Sequence, residues 1–274
     1  MTNTEHGQGA QLEAFRFLVG PERKEFVVHS LPFSRLSRAL DVLINGTMSE
    51  ACEGTVVWDD MDPDTFVRFS EFAHSGDYTT PKIELRTEPF EHTGGQMSIK
   101  AEELSQWAAD DEEEAFSIDY KTRKEMRKGS VHDVRRFIAA SSPPPGPVSN
   151  PQRVEEPGAD YKKLLLCHIQ LYIVGDKYCI PDLTALTNHK LHRAFQASCD
   201  GYQHLEDIAD VARYAYTNTV KGDKLRTLLS HNIASRFNGF KGFIHHPVIR
   251  GLLEESGEIV VGVAIHLAKG IDER

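Results

Sequence analysis

Histidine and cysteine are the side chains in this chain best suited to metal or nucleophilic chemistry. His189 and His192 stand three apart, which places two imidazoles on one face of a helix, with Cys199 and His204 downstream. Such a pair can share a metal ion, but no spacing in the sequence supplies the third and fourth ligands. We therefore read a surface helix that carries histidines. His245-His246, just before Pro247, form an equally isolated pair. The chain has no G-x-S-x-G elbow, no Walker loop, no G-x-G-x-x-G turn and no H-E-x-x-H helix. We expect no enzyme, no cofactor and no bound metal.

Composition narrows the remaining classes. A chain of 274 residues, 40% of them hydrophobic, can bury one large core or two small ones. Its net charge of -10 argues against nucleic acid as a partner, because phosphate binding needs a basic surface. No apolar run approaches the length of a membrane span, and MTNTEHGQGAQ does not read as a secretory signal. We expect no membrane partner and a cytoplasmic or nuclear location. The four cysteines (Cys52, Cys167, Cys179 and Cys199) are scattered, which fits reduced, buried thiols. Asn45-Gly46-Thr47 spells a glycosylation sequon that carries no meaning without secretion.

The strongest apolar patterning in the first half lies between Phe15 and Tyr78. Phe15, Phe17 and Val19 alternate with Arg16 and Leu18, the period of a half-buried strand. Gly20-Pro21 breaks the strand, and Phe26 and Val28 resume it, so a hairpin with a five-residue connection is expected. Pro32 is expected to open a helix with Leu36, Leu40 and Leu43 as its buried stripe, stopped at Asn45-Gly46. Thr55 to Trp58 reads as a strand. Asp62 as N-cap and Pro63 as first residue open a further helix, with Phe66, Phe69 and Ala73 turned inward.

Residues 82–159 differ in kind. They hold Gly94-Gly95, the acidic run Asp110 to Glu114, the mixed run KTRKEMRK (Lys121 to Lys128) and the proline cluster SSPPPGP. Such a mixture offers little apolar surface to offset the entropy of ordering. We expect a largely disordered insertion, with short helices at Ile99 to Ala109 and Val131 to Ala140. Apolar helical patterning returns from Tyr161 through Leu164-Leu165, Ile169 and Tyr172-Ile173. Beyond 200, three more helices are expected. They centre on Leu205 to Tyr216, on Leu225 to Phe237, and on a last group from Val248 to Leu267.

The order of these residues resembles the BTB/POZ family, in the divergent form common in fungal proteins. The early matches are Val19-Gly20, Phe26-Val27-Val28-His29, Phe33, Ser37, Leu40, Asn45-Gly46 with Glu50, Asp62-Pro63, Phe66 and Ser75-Gly76-Asp77-Tyr78. The late matches are Gly175-Asp176-Lys177-Tyr178, Ile180, Leu183 and Leu191, with Gly175 where the family usually has alanine. The resemblance implies an α+β fold: a small β-sheet capped by a helical cluster, split over 12–81 and 160–200. Residues 82–159 are then the insertion and 201–274 an all-α extension. It also implies that His29 is a packing and hydrogen-bonding residue.

Family members act as protein-interaction modules, and those that bind cullin scaffolds often carry an apolar-x-Glu motif between a helix and the next strand. Met48-Ser49-Glu50 matches that motif, so Met48 and Glu50 are the implied partner-binding residues. The expected function is a protein-protein interaction adaptor or scaffold, with a cullin-based ubiquitin ligase as its most concrete setting. The alternative is a nuclear regulatory or scaffolding protein without a cullin. Two family charges are missing, at about Ala14 and at Ser30, and only a short segment precedes Phe15. The resemblance therefore leaves homo-oligomerisation open.

Overall fold

The computed structural model describes residues 14–85, 159–197, 204–237 and 243–272. It is a mixed α+β protein that clusters into two compact units. The sheet unit takes residues up to Thr79 together with Val174–Thr184; the helical unit takes the rest.

In the sheet unit, β1 (Ala14–Val19) lies at the centre. β2 (Lys24–His29) pairs with it antiparallel, Phe17 opposite Phe26, and β3 (Thr55–Trp58) pairs parallel on its other side, Phe17 opposite Val56. Phe15, Phe17 and Val19 are buried, as the alternation requires. The hairpin connection is shorter than expected, because Lys24 already faces Val19 and only Gly20 to Arg23 make the turn. His29 ends β2 exposed, so it does not pack as the resemblance implies.

The helix expected from Pro32 is two helices, α1 (Ser30–Ser34) and α2 (Arg38–Asn45). The Ser37 hydroxyl accepts the Leu40 N–H at 3.2 Å, a cap that starts a fresh helix. Leu40 and Ile44 are its buried residues, with Leu36 and Leu43 half-buried. After α3 (Ser49–Glu53) and β3 comes α4 (Pro63–Ser75), where Asp62 accepts the Thr65 N–H at 2.9 Å. Phe66, Phe69 and Phe72 fill its inner face; Ala73 is only half-buried. The centre is aromatic. The Phe17 ring lies 4.8 Å from Trp58 and 5.0 Å from Phe66, and Phe66 lies 4.7 Å from Phe26.

Two two-residue strands, β4 (Glu84–Leu85) and β5 (Ala159–Asp160), pair antiparallel and bring the ends of the expected insertion together. Residues 86–158 of that insertion lie outside the described residues, and with them its two expected helices, the acidic run and KTRKEMRK.

α5 (Lys162–Lys177) and α6 (Pro181–Ala197) follow. The grouping of 160–200 with 12–81 differs from the observed division, since only 174–184 cluster with the sheet. The reason is the burial of Leu164, Leu165, Ile169 and Tyr172 in the aliphatic core of the helical unit.

α5 ends in a tight motif. Ile180 N–H donates to the Gly175 carbonyl at 2.7 Å and Cys179 N–H to that of Asp176 at 3.1 Å. Glycine at 175 has a steric cause. A Cβ there would lie 2.9 Å from Thr184 Cγ2 and 3.2 Å from the Thr184 nitrogen. Beside this motif, Tyr178 stacks on Trp58 at 4.7 Å and Lys177 pairs with Asp60 at 2.7 Å.

The helical unit continues with α7 (Leu205–Asn218), α8 (Lys224–Phe237), a 3-10 turn (Phe243–His245), α9 (Pro247–Glu255) and α10 (Gly257–Asp272). The last apolar group is thus two helices parted at Ser256, whose hydroxyl accepts the Ile259 N–H at 3.4 Å. Tyr172 donates from its hydroxyl to Asp223 at 3.0 Å, and Lys162 pairs with Asp210.

Candidate protein-binding surface

The segment that joins α2 to β3 is short and its residues divide their exposure. Val42 on the outer side of α2 and Met48 before α3 are both exposed, Met48 at 60%. Met48 occupies the N-cap position of α3, where a thioether cannot accept a backbone N–H, and no side chain caps that end. Its apolar side chain is more exposed than buried. Glu50 lies in the first turn of α3, a favourable place for a carboxylate, and accepts the Ser49 hydroxyl at 3.0 Å. Cys52, two residues on, is exposed. An exposed flexible apolar group beside a half-buried acid is suited to seating in a partner's groove.

The open face of the sheet adds apolar surface that the sequence reading passed over. Because Phe15, Phe17 and Val19 turn inward, Arg16 and Leu18 turn outward, and they lie level with Val27 and Val57 on the flanking strands. Val27 is 62% exposed, and Val57 is exposed too. Arg16 and Glu25 meet across this face at 4.0 Å. The signal was present in the sequence: Val27 alternates with Phe26 and Val28, so one of the two sets had to face outward.

The histidines do not assemble a metal centre. His192 is buried and His189 half-buried, along with buried Asn188 and Lys190, so α6 is not the surface helix expected. Burial first, then the Arg193 charge, lowers the His189 pKa below its ordinary value and favours the neutral imidazole. His204 packs edge-on against Tyr161 at 4.6 Å. Cys199 lies outside the described residues. His245 is exposed and His246 half-buried. Among the described residues, no three of His, Cys, Asp and Glu group closely enough to hold a metal ion. Cys167 is the buried thiol; Cys179, like Cys52, is exposed, which departs from the expectation of buried cysteines.

Among the described residues, no helix is long and apolar enough to cross a membrane. No protein-family model matches the chain, and no curated protein matches it.

Proposed function

We propose that this chain is a protein-protein interaction adaptor of BTB-like type that engages its partner through the α2–α3 surface, with a cullin scaffold as that partner. The observation that carries the reading is the 60% exposure of Met48 at the start of α3, one residue removed from Glu50. An exposed methionine gains by burial in a partner, and a carboxylate beside it can select a basic counterpart. Met48 supplies the apolar anchor and Glu50 the charge. The resemblance supports the cullin assignment, since Met48-Ser49-Glu50 matches the motif in type and place.

The test is co-precipitation of tagged full-length protein, probed for cullins, against Met48→Asp and Glu50→Lys. Asp at position 48 supplies the cap acceptor that Met48 lacks and Lys at position 50 loses the favourable first-turn charge, so the two variants should shift stability in opposite directions by about 1 kcal/mol or less, too little to unfold the unit. Cullin in the wild-type eluate, with at least about a tenfold loss in each variant, is expected for anchor residues. Recovery of no cullin by the wild type overturns the ligase-adaptor reading.

A further inference from the structure

The chain between α4 and β4 holds one hydroxyl that the fold leaves open. Residues 77–83 form neither helix nor strand, and within them Thr79, Thr80 and Lys82 are exposed. Tyr78 near the start of this stretch is buried, and Ile83 at its end packs against the core of the helical unit. Three hydroxyls stand close together in the sequence here, and two are engaged. Ser75 is held by the carbonyls of Glu71 and Asp77, both at 2.8 Å. Thr79 donates its N–H to the Glu71 carboxylate at 2.7 Å, and its hydroxyl meets the two oxygens of that carboxylate at 2.8 and 3.0 Å. The Thr80 hydroxyl has no hydrogen-bond partner among the described residues.

Two constraints turn that hydroxyl outward. Pro81 confines Thr80 to extended backbone, because the proline ring clashes with helical geometry at the residue before it. Side chains alternate along an extended chain, so the bonds that hold Thr79 against α4 direct Thr80 the other way. Thr80-Pro81 is also the one place among the described residues where a hydroxyl side chain directly precedes a proline. We propose that Thr80 is a phosphorylation site for a proline-directed Ser/Thr kinase. Such a kinase holds its substrate extended and selects proline after the hydroxyl residue, where the missing N–H demands no acceptor in the cleft. The Thr80 hydroxyl oxygen attacks the γ-phosphorus of ATP in line. The bond from that phosphorus to the bridging oxygen breaks, ADP leaves, and the hydroxyl proton passes to the kinase's catalytic carboxylate.

The surroundings accept the new charge. The acids of this stretch are Asp77 and Glu84, joined by Glu71 from α4, and the fold already engages all three. Asp77 accepts the Tyr78 N–H at 2.7 Å, Glu84 meets Lys163 at 3.0 Å, and Glu71 holds Thr79. Lys82, two residues beyond Thr80 and so on the same side of an extended chain, is exposed and pairs with no described residue. It offers the phosphate a cation that nothing else described occupies. The phosphate adds a charge of about -1.5 to -2 to a chain already at -10, on the side turned away from Glu71. The Thr79–Glu71 contact therefore persists in the phosphorylated chain.

The test incubates the folded full-length chain with a purified proline-directed Ser/Thr kinase and Mg²⁺-ATP, then maps phosphate by tandem mass spectrometry. Ser142 also precedes a proline in the sequence, so the reaction is run in a Ser142→Ala background. A peptide of residues 74–85 serves as the unfolded reference. Phosphate is expected on Thr80 in both chain and peptide. Pro81→Ala restores an N–H and frees the Thr80 backbone, and should slow that labelling at least about tenfold. Thr79→Val removes only the engaged hydroxyl and should leave the label on Thr80. If Pro81→Ala melts early in the full chain, the same change in the peptide decides the point. A peptide labelled at Thr80 beside a folded chain that is not would overturn the proposal, because the fold would then hide the hydroxyl. So would phosphate on Thr79 instead, no label in either, or labelling indifferent to Pro81→Ala.

Discussion

The two units bury their apolar surface by different means. The sheet unit has strands of six, six and four residues and fills its interior with rings: Phe15, Phe17, Phe33, Trp58, Phe66, Phe69 and Phe72. The helical unit has helices of up to 17 residues and fills its interior mainly with Leu, Ile, Val and Ala, around the four rings of Tyr161, Tyr172, Phe195 and Phe243. Short elements carry few inward positions, so each must bury more area, and an aromatic ring buries the most. Long helices offer many inward positions, and alanines such as Ala209, Ala212 and Ala215 let them approach closely.

Both units also leave apolar groups outside. The sheet unit exposes Val27 and Val57 on its open face and Val42, Met48 and Val67 on or beside its helices, whereas the helical unit exposes Val260, Val261 and Ile265 along α10 and Tyr214, Val220 and Ile244 apart from it.

The largest effect should come from the rings. Phe66 lies within 6.5 Å, centroid to centroid, of Phe17, Phe26, Phe33, Trp58 and Phe69. Phe66→Ala is expected to cost about 3–5 kcal/mol in urea denaturation, through lost burial and a cavity that flat neighbours cannot close. In the helical unit, Leu229→Met at an equally buried site should cost less than about 1.5 kcal/mol, because flexible aliphatic neighbours repack around a similar volume. Phe66→Met should fall well above that figure. Equal costs for the two methionine variants would break the contrast.

A second effect belongs to the helical unit alone. Arg226 is nearly buried and donates to four oxygens. These are Thr219 Oγ1 at 2.9 Å, the Tyr216 carbonyl at 2.8 Å, a Glu258 carboxylate oxygen at 2.6 Å and the Thr219 carbonyl. It ties the end of α7, the start of α8 and the start of α10 with one side chain. Arg226→Met keeps much of the stem volume but leaves those acceptors without a donor, and should cost about 2–4 kcal/mol. Glu258→Gln, at a site one-third exposed, should cost about 1 kcal/mol or less. A neutral Arg226→Met would mean that water replaces all four bonds and that the helical unit needs no polar hub.

Those residues also mark what could be read from sequence. The stripe Phe66 and Phe69, the Asp62 cap and the alternation of β1 are local patterns, set by side-chain period and by one hydrogen bond. They were legible. The break between α1 and α2 is equally local, since Ser37 caps a fresh helix, but the unbroken stripe Leu36, Leu40 and Leu43 hides it. The parallel pairing of β3 with β1 and the assignment of most of α5 and α6 to the helical unit are long-range outcomes, and no periodicity encodes them. At the candidate surface, the position of Met48 and Glu50 between α2 and β3 followed from order alone. The exposure of Met48 did not, since an apolar residue at a helix start packs inward or outward according to neighbours that only the fold supplies.

The smallest prediction concerns strain. Among the described residues, the non-glycine residues with positive φ are Arg23 at 51° and Cys179 at 53°, both in the sheet unit. Cys179 takes the left-handed position that closes α5, between two hydrogen bonds that hold its dihedral in place. An L-residue pays about 1–2 kcal/mol for that conformation and glycine does not, though glycine loses more freedom on folding. The two terms leave Cys179→Gly more stable by about 0.5–1 kcal/mol, read as a higher denaturation midpoint at unchanged slope. Cys179→Ala keeps the Cβ and the strain, so it should leave the midpoint in place. A gain from alanine equal to that from glycine would trace the effect to the thiol, and the strain would then cease to distinguish the sheet unit from the helical one.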